Sequence, residues 1–120
     1  MKILVIDDEH DILDTVSVRL TAGGYSVITA DTGEGGFAKA VSEKPDLILL
    51  DVMLPDIDGG MVAAKLRDNA VTRKIPVVFL TCIVSGKEME GKDKIGGNFF
   101  IAKPFKSEEL LAKIEDVLGG

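Results

Sequence analysis

The stretch Pro45-Asp46-Leu47-Ile48-Leu49-Leu50-Asp51 places four consecutive large apolar residues directly before a carboxylate. A run of this length without polar alternation suits a strand covered on both faces, as at the centre of a parallel sheet with helices on either side. In such sheets ligands collect beyond the carboxyl ends of the strands, near the point where strand order reverses. Asp51 stands at that edge. The residues that follow, Val52-Met53-Leu54-Pro55-Asp56-Ile57-Asp58-Gly59, carry proline and glycine punctuation, so the carboxylate opens into a loop-lined cleft. An acid after an apolar run can also merely end a strand or cap a helix, and the rest of the chain has to decide between these roles.

Four further runs surround the first. Lys2 to Ile6 is a β-branched strand that also ends in acids, Asp7-Asp8-Glu9. Ile12, Leu13, Val16 and Leu20 recur at helical spacing before Gly23-Gly24. Tyr25 to Ala30 reads as a second strand, Thr32 as a cap, and Phe37, Ala40 and Val41 as the stripe of a second helix ending before Pro45. Met61, Val62, Ala64 and Leu66 suggest a third helix, and Ile75 to Leu80 a buried strand closing on Thr81. Gly86 to Gly97 is expected to contain a fourth helix, short or mobile because its stripe is thin, essentially Met89 and Ile95, and Gly91 lies inside it. Asn98 to Ala102 is the last strand, ending at Lys103-Pro104. Leu110, Leu111, Ile114, Val117 and Leu118 mark an amphipathic final helix that starts at Ser107-Glu108-Glu109.

Five strands alternating with five helices predict an α/β fold, a doubly wound (βα)5 sandwich on a five-stranded parallel sheet. Right-handed crossovers put every strand's carboxyl end on one edge, which gathers Asp7, Asp8, Asp51, Thr81 and Lys103 there. The length of 120 residues predicts one domain with a real hydrophobic core. Cys82 is the only cysteine, which excludes an internal disulfide and leaves no thiol pair to form a zinc site with the lone His10. No apolar run approaches a membrane span and no signal peptide precedes the first strand, so the expected compartment is the cytoplasm, without membrane association. The formal charge of -6 argues against direct nucleic-acid binding, since phosphate contacts would have to overcome the domain's own field.

Three carboxylates at one point repel one another and must bind protons or share a cation. Hard oxygen ligands suit magnesium, or manganese in its place, better than zinc. Lys103 adds a positive charge and Thr81 a hydroxyl, and the set describes a phosphoryl site in which a carboxylate can itself become an acyl phosphate.

The acid pair Asp7-Asp8, the stretch from Leu49-Leu50-Asp51 to Asp58-Gly59, the strand ending at Thr81 and the Lys103-Pro104-Phe105 motif together resemble a response-regulator receiver domain of two-component signalling. The match runs through the whole chain in order and spacing. It implies a flavodoxin-like sheet of order 2-1-3-4-5, a receiver domain over residues 1–120, and no output domain in this chain. It also implies roles: Asp51 as phosphoacceptor, Asp8 as direct magnesium ligand, Asp7 as a ligand acting largely through water, and Met53 as donor of a backbone carbonyl to the metal. Thr81 and Lys103 match the phosphate-sensing hydroxyl and the phosphate-binding amine, Lys103-Pro104 a cis peptide, and Phe100 the aromatic switch, here without a phenolic hydroxyl. Met53 and Ile83 occupy positions that tune hydrolysis of the acyl phosphate; both are apolar, which implies a persistent phosphorylated state.

The resemblance further implies a sensor histidine kinase or histidine phosphotransfer protein as donor. A downstream protein is expected on the face formed by helix four, strand five and helix five. In this reading the chain is not an enzyme but a switch that catalyses its own phosphorylation and dephosphorylation. Two other readings of the same fold are an aspartate-nucleophile phosphatase and a scaffold that never uses the acceptor; the former more naturally carries a second acid where Met53 stands. The glycine-rich segment around helix four departs most from the family pattern. Cys82 reads as a small buried hydrophobe, His10 as a solvated helix-start residue, and Phe79, Phe99, Phe100 and Phe105 as packing. An EF-hand at Asp56, Asp58 and Gly59 fails, because its first and last ligand positions hold Leu54 and Lys65.

Overall fold

The computed structural model describes residues 1–81, 94–95, 98–102 and 105–119. Its elements in chain order are β1 (Lys2–Ile6), α1 (His10–Ala22), β2 (Ser26–Ala30), α2 (Gly33–Glu43), β3 (Leu47–Asp51), α3 (Gly59–Asp68), β4 (Val77–Thr81), β5 (Lys94–Ile95), β6 (Asn98–Ala102) and a last helix, α4 (Ser107–Gly119). β2, β1, β3, β4 and β6 are parallel neighbours, so the five long strands take the expected 2-1-3-4-5 order. The two-residue β5 adds an antiparallel edge beyond β6.

The apolar runs become central strands because helices cover both faces of the sheet. Leu47, Ile48, Leu49 and Leu50 are all fully buried. Their alternation splits the interior into two cores. Val5, Leu49 and Leu80 pack with Leu13, Val16 and Leu20 of α1 and with Leu110 and Ile114 of α4. Ile6, Ile48, Leu50 and Phe79 pack on the other side with Ala40 of α2 and with Val62, Ala63 and Leu66 of α3. Phe99 and Phe105 pack against the first core and Phe100 against the second, as their spacing predicts.

Local chemistry sets the helix ends. Gly23 donates to the carbonyls of Arg19 and Leu20, and Gly24 takes φ +94, a conformation glycine adopts without a side-chain clash. Thr32 caps α2 by accepting from Gly35 N at 3.0 Å, and Asp58 caps α3 by accepting from Met61 N at 2.9 Å. At the far end of α3 the buried Thr72 hydroxyl donates to the Leu66 carbonyl at 2.6 Å, a satisfied group that apolar spacing does not reveal.

Three expectations change. The inward face of α3 is Gly59, Val62, Ala63 and Leu66, whereas Met61 and Ala64 face solvent, because the former fall on one i, i+3, i+4, i+7 stripe and the latter lie on the opposite side of the helix. The inner residues of α2 are Gly33, Gly36 and Ala40, with Phe37 and Val41 only partly buried, since Ile6 side-chain atoms fill the space where a Cβ on Gly36 would lie. Ile95, expected in a fourth helix, is instead strand, paired with Asn98. The rest of that expected helix, with Gly86, Met89 and Gly91, lies outside the described residues, as do Cys82 and Ile83. Among the described residues, no helix is long and apolar enough to cross a membrane.

Leu49→Ala should lower the unfolding free energy by about 2–5 kcal/mol, since its site is enclosed on both sides. Met61→Ala, at an exposed position, should stay within about 0.5 kcal/mol of wild type. Urea denaturation midpoints measure both, and a larger loss at Met61 would contradict the assigned face.

Candidate functional site

Strand register builds the site. β1 and β3 pair with Ile6 opposite Leu50, so the next residue of each strand, Asp7 and Asp51, emerge side by side at the carboxyl edge. Asp8 follows Asp7, and one carboxylate oxygen from each of Asp7, Asp8 and Asp51 lies within 4.8 Å of the others. Burial grades the three: Asp7 is fully buried, Asp51 is 6% exposed and Asp8 is open to solvent.

Each acid is also part of the local backbone. Asp7 accepts from Glu9 N at 2.9 Å, which shapes the turn into α1, and its own amide donates to the Ala30 carbonyl at 3.1 Å. Asp51 Oδ1 accepts from Met53 N at 3.2 Å, and Val52 N continues the sheet by donating to the Leu80 carbonyl at 3.3 Å. The donor set is entirely carboxylate oxygen, with four lone-pair sites on each ionised group. That chemistry fits a hard divalent cation such as magnesium. His10 stands apart as an exposed side chain with Nε2 at 3.5 Å from Asp31 Oδ2.

The loop after Asp51 is held closely against the strand end. Gly59 N donates to the Val52 carbonyl at 2.7 Å, and a Cβ on Gly59 would lie 2.4 Å from the Asp51 carbonyl oxygen. Only glycine lets the start of α3 approach the end of β3 this closely. Asp56, a residue whose role spacing does not reveal, reaches α2 instead: Oδ1 accepts from Gly33 N at 2.8 Å and Oδ2 from Glu34 N at 2.9 Å. The acidic cluster of Asp56 and Asp58 is therefore a pair of helix caps, in keeping with the failure of the EF-hand alignment.

Thr81 ends β4 opposite Ala102, one step beyond the Asp51 to Leu80 pair, so its backbone reaches the same edge as Asp51. Phe100 pairs with Phe79 across β4 and β6, ring centroids 5.3 Å apart and planes inclined by 27°. Lys103 and Pro104 lie outside the described residues.

Residues 3–115 match the family model of the response regulator receiver domain. The chain is 42% identical to the DNA-binding dual master transcriptional regulator RpaA of Synechocystis sp., over 98% of this chain and 48% of that protein. It is 39% identical to the alkaline phosphatase synthesis regulator PhoP of Bacillus subtilis, over 98% of this chain and again 48% of the relative. The chain thus spans about half the length of these curated relatives. Among solved structures, chemotaxis protein CheY4 of Vibrio cholerae superposes with a TM-score of 0.85 at 32% identity, covering 98% of both chains. The receiver domain of a Pseudomonas aeruginosa sensor histidine kinase, solved with magnesium coordinated in its active-site cleft, superposes at 0.88 with 28% identity over 99% of this chain and 98% of that one.

The Asp56 carboxyl is lowered from its ordinary 3.8 to about 2, first by the Glu34 amide and next by the Gly33 amide, with desolvation opposing. A folded value below the unfolded one means that its stabilising contribution is complete above about 3.8 and is lost as pH falls through about 2. The stability gap between wild type and Asp56→Asn should therefore shrink on acidification through that window. Denaturant titrations at stepped pH measure it, and a gap that stays constant would contradict the two-amide cap.

Proposed function

The chain belongs to the response-regulator receiver family, and from that membership we propose that it accepts a phosphoryl group on Asp51 from the phosphohistidine of a sensor kinase or histidine phosphotransfer protein. The observation that carries the proposal is the meeting of Asp7, Asp8 and Asp51 at the ends of β1 and β3. One Asp51 carboxylate oxygen attacks phosphorus as the bond to the donor imidazole nitrogen breaks, leaving an acyl phosphate on Asp51 and, with one proton taken up by the imidazole ring from solvent, a neutral histidine on the donor.

Magnesium, when bound, supplies positive charge against the phosphoryl oxygens. The solvent-open Asp8 is the direct ligand in this reading. Asp7 is buried and already engaged with the Glu9 amide, which fits a ligand acting largely through water while it holds the β1–α1 turn. Met53 offers its backbone carbonyl, and its amide orients Asp51 through Oδ1. Thr81 and Lys103 keep the roles of phosphate-sensing hydroxyl and phosphate-binding amine.

The output is a population shift in which Thr81 draws toward the phosphoryl oxygens and Phe100 repacks. In the structure Phe100 stacks on Phe79 at the rim of the second core, so its movement would alter the sheet edge at β6, the strand of the face where a downstream protein is expected to bind. The apolar Met53 and Ile83 cannot orient an attacking water by hydrogen bonding, which favours a long-lived acyl phosphate. Residues 1–120 are read as one receiver unit working in the cytoplasm. What output the whole protein performs is a separate matter, given that the curated relatives are about twice as long.

Incubation with acetyl phosphate and magnesium should add one phosphoryl mass to the intact wild type and none to Asp51→Asn. Mass spectrometry decides the matter. Labelling of Asp51→Asn at the wild-type rate, or labelling unaffected by a chelator, would remove Asp51 and the metal from the mechanism.

A further inference from the structure

Asp56 makes an unusual connection for a loop carboxylate, because it bonds both oxygens to consecutive amides of a helix more than twenty residues earlier in the chain. Oδ1 takes Gly33 N at 2.8 Å and Oδ2 takes Glu34 N at 2.9 Å. The same helix already has its own cap, since Thr32 accepts from Gly35 N at 3.0 Å and its carbonyl from Gly36 N at 2.9 Å. The first turn of α2 is thus satisfied jointly, by its preceding residue and by the loop that leaves the acceptor strand.

The rest of that loop is seated with little slack. A Cβ on Gly33 would lie 2.6 Å from Ile57 Cγ1 and 2.8 Å from Val62 Cγ2, so Ile57 presses directly on the helix start beside the Asp56 contact. At the α3 end, Gly59 N holds the Val52 carbonyl at 2.7 Å. At the β3 end, Met53 N holds Asp51 Oδ1 at 3.2 Å. Met53 therefore lies on a segment fastened at Asp51, at α2 and at α3.

We propose that Asp56 is a positioning residue of the phosphoacceptor site, whose two-armed bond to the start of α2 holds the 52–58 loop so that the Met53 backbone carbonyl faces the metal-binding acids. The inference rests on the receiver reading above and deepens it. The physical reason is preorganisation: a carbonyl already held in place toward a cation costs no loop ordering when the cation binds, and outer partners of this kind set metal affinity without touching the metal. Asp56 also differs from a simple helix cap in what it fastens, because Thr32 caps α2 from the neighbouring residue and leaves the acceptor loop untouched.

That difference defines the experiment, which uses the full chain as wild type, Asp56→Ala, Asp56→Asn and Thr32→Ala. Three quantities are measured: the magnesium dissociation constant by calorimetry, the metal-free amide NMR shift of Met53, and the thermal midpoint. Asp56→Ala should raise the magnesium dissociation constant about tenfold and move the Met53 amide. Asp56→Asn keeps one carbonyl oxygen and so can accept from only one of the two amides at full strength, and it should fall between. Thr32→Ala should lower the thermal midpoint while keeping the wild-type magnesium affinity and Met53 shift.

Asp56 variants that lose thermal stability but bind magnesium as wild type does would reduce Asp56 to a helix cap and overturn the proposal. Asp56→Asn carries the same test should Asp56→Ala fail to fold. Wild type that takes up no magnesium would instead overturn the receiver reading, and this assignment with it.

Discussion

The alignment of β1 with β3 is the constraint from which the site follows. Because Ile6 lies opposite Leu50, the two strands reach the sheet edge together, and each then continues into an acid. Side chains alternate along a strand, so a slip of one residue would turn Leu4 and Ile6, or Leu47 and Leu49, toward the wrong core. Two-sided burial thus enforces the register, and the register enforces the closeness of Asp7 to Asp51. The like charges that result are arranged by hydrophobic packing rather than by any attraction between them.

The loop beyond Asp51 is controlled by different forces. Helix starts present unsatisfied amides and a positive dipole end, and here two of them are brought against the loop that follows Asp51. Asp58 satisfies α3 locally, while Asp56 satisfies α2 across the fold. Absent side chains matter as much as present ones. Gly59 leaves room for the Asp51 carbonyl, Gly33 for Ile57 and Gly36 for Ile6, so α2 and α3 can lie close enough to the strand ends for their first turns to meet the loop. A rigid sheet edge and a fastened loop together leave few ways for the acids to move apart, which suits a site that must be ready before its ligands arrive.

Much of this was legible in the residues. The unbroken apolar run at Leu47 to Leu50 identifies a strand buried on both faces, and the repeated pattern of strand followed by polar residue identifies one edge where chemistry collects. Helix phase was less legible. Met61 and Ala64 are as apolar as the residues that replace them, and apolarity alone does not reveal that the inward stripe is Gly59, Val62, Ala63 and Leu66, spaced i, i+3, i+4 and i+7. The glycines of α2 were opaque for a related reason: a residue with no side chain gives no apolar signal, although Gly36 turns toward Ile6 of β1 and Gly33 toward Ile57 and Val62, whose side chains fill the space beside them. Asp56 reads as loop punctuation, since its partners are more than twenty residues away and belong to the backbone, which carries no residue-specific mark. At Ile95 the antiparallel pairing with Asn98 overrides a thin helical stripe interrupted by glycine, a contest that local propensity does not decide.

The central claim is that three carboxylates brought together by strand register form a divalent-cation site serving Asp51. Calorimetric titration of magnesium into wild type, Asp7→Ala and Asp8→Ala tests it most directly. The account predicts one ion bound per chain in wild type, with a larger loss of affinity for Asp8→Ala than for Asp7→Ala, because it assigns the direct contact to the exposed acid and a water-mediated one to the buried acid. A wild type that binds no magnesium, or an Asp8→Ala protein that binds it as tightly as wild type, would contradict it.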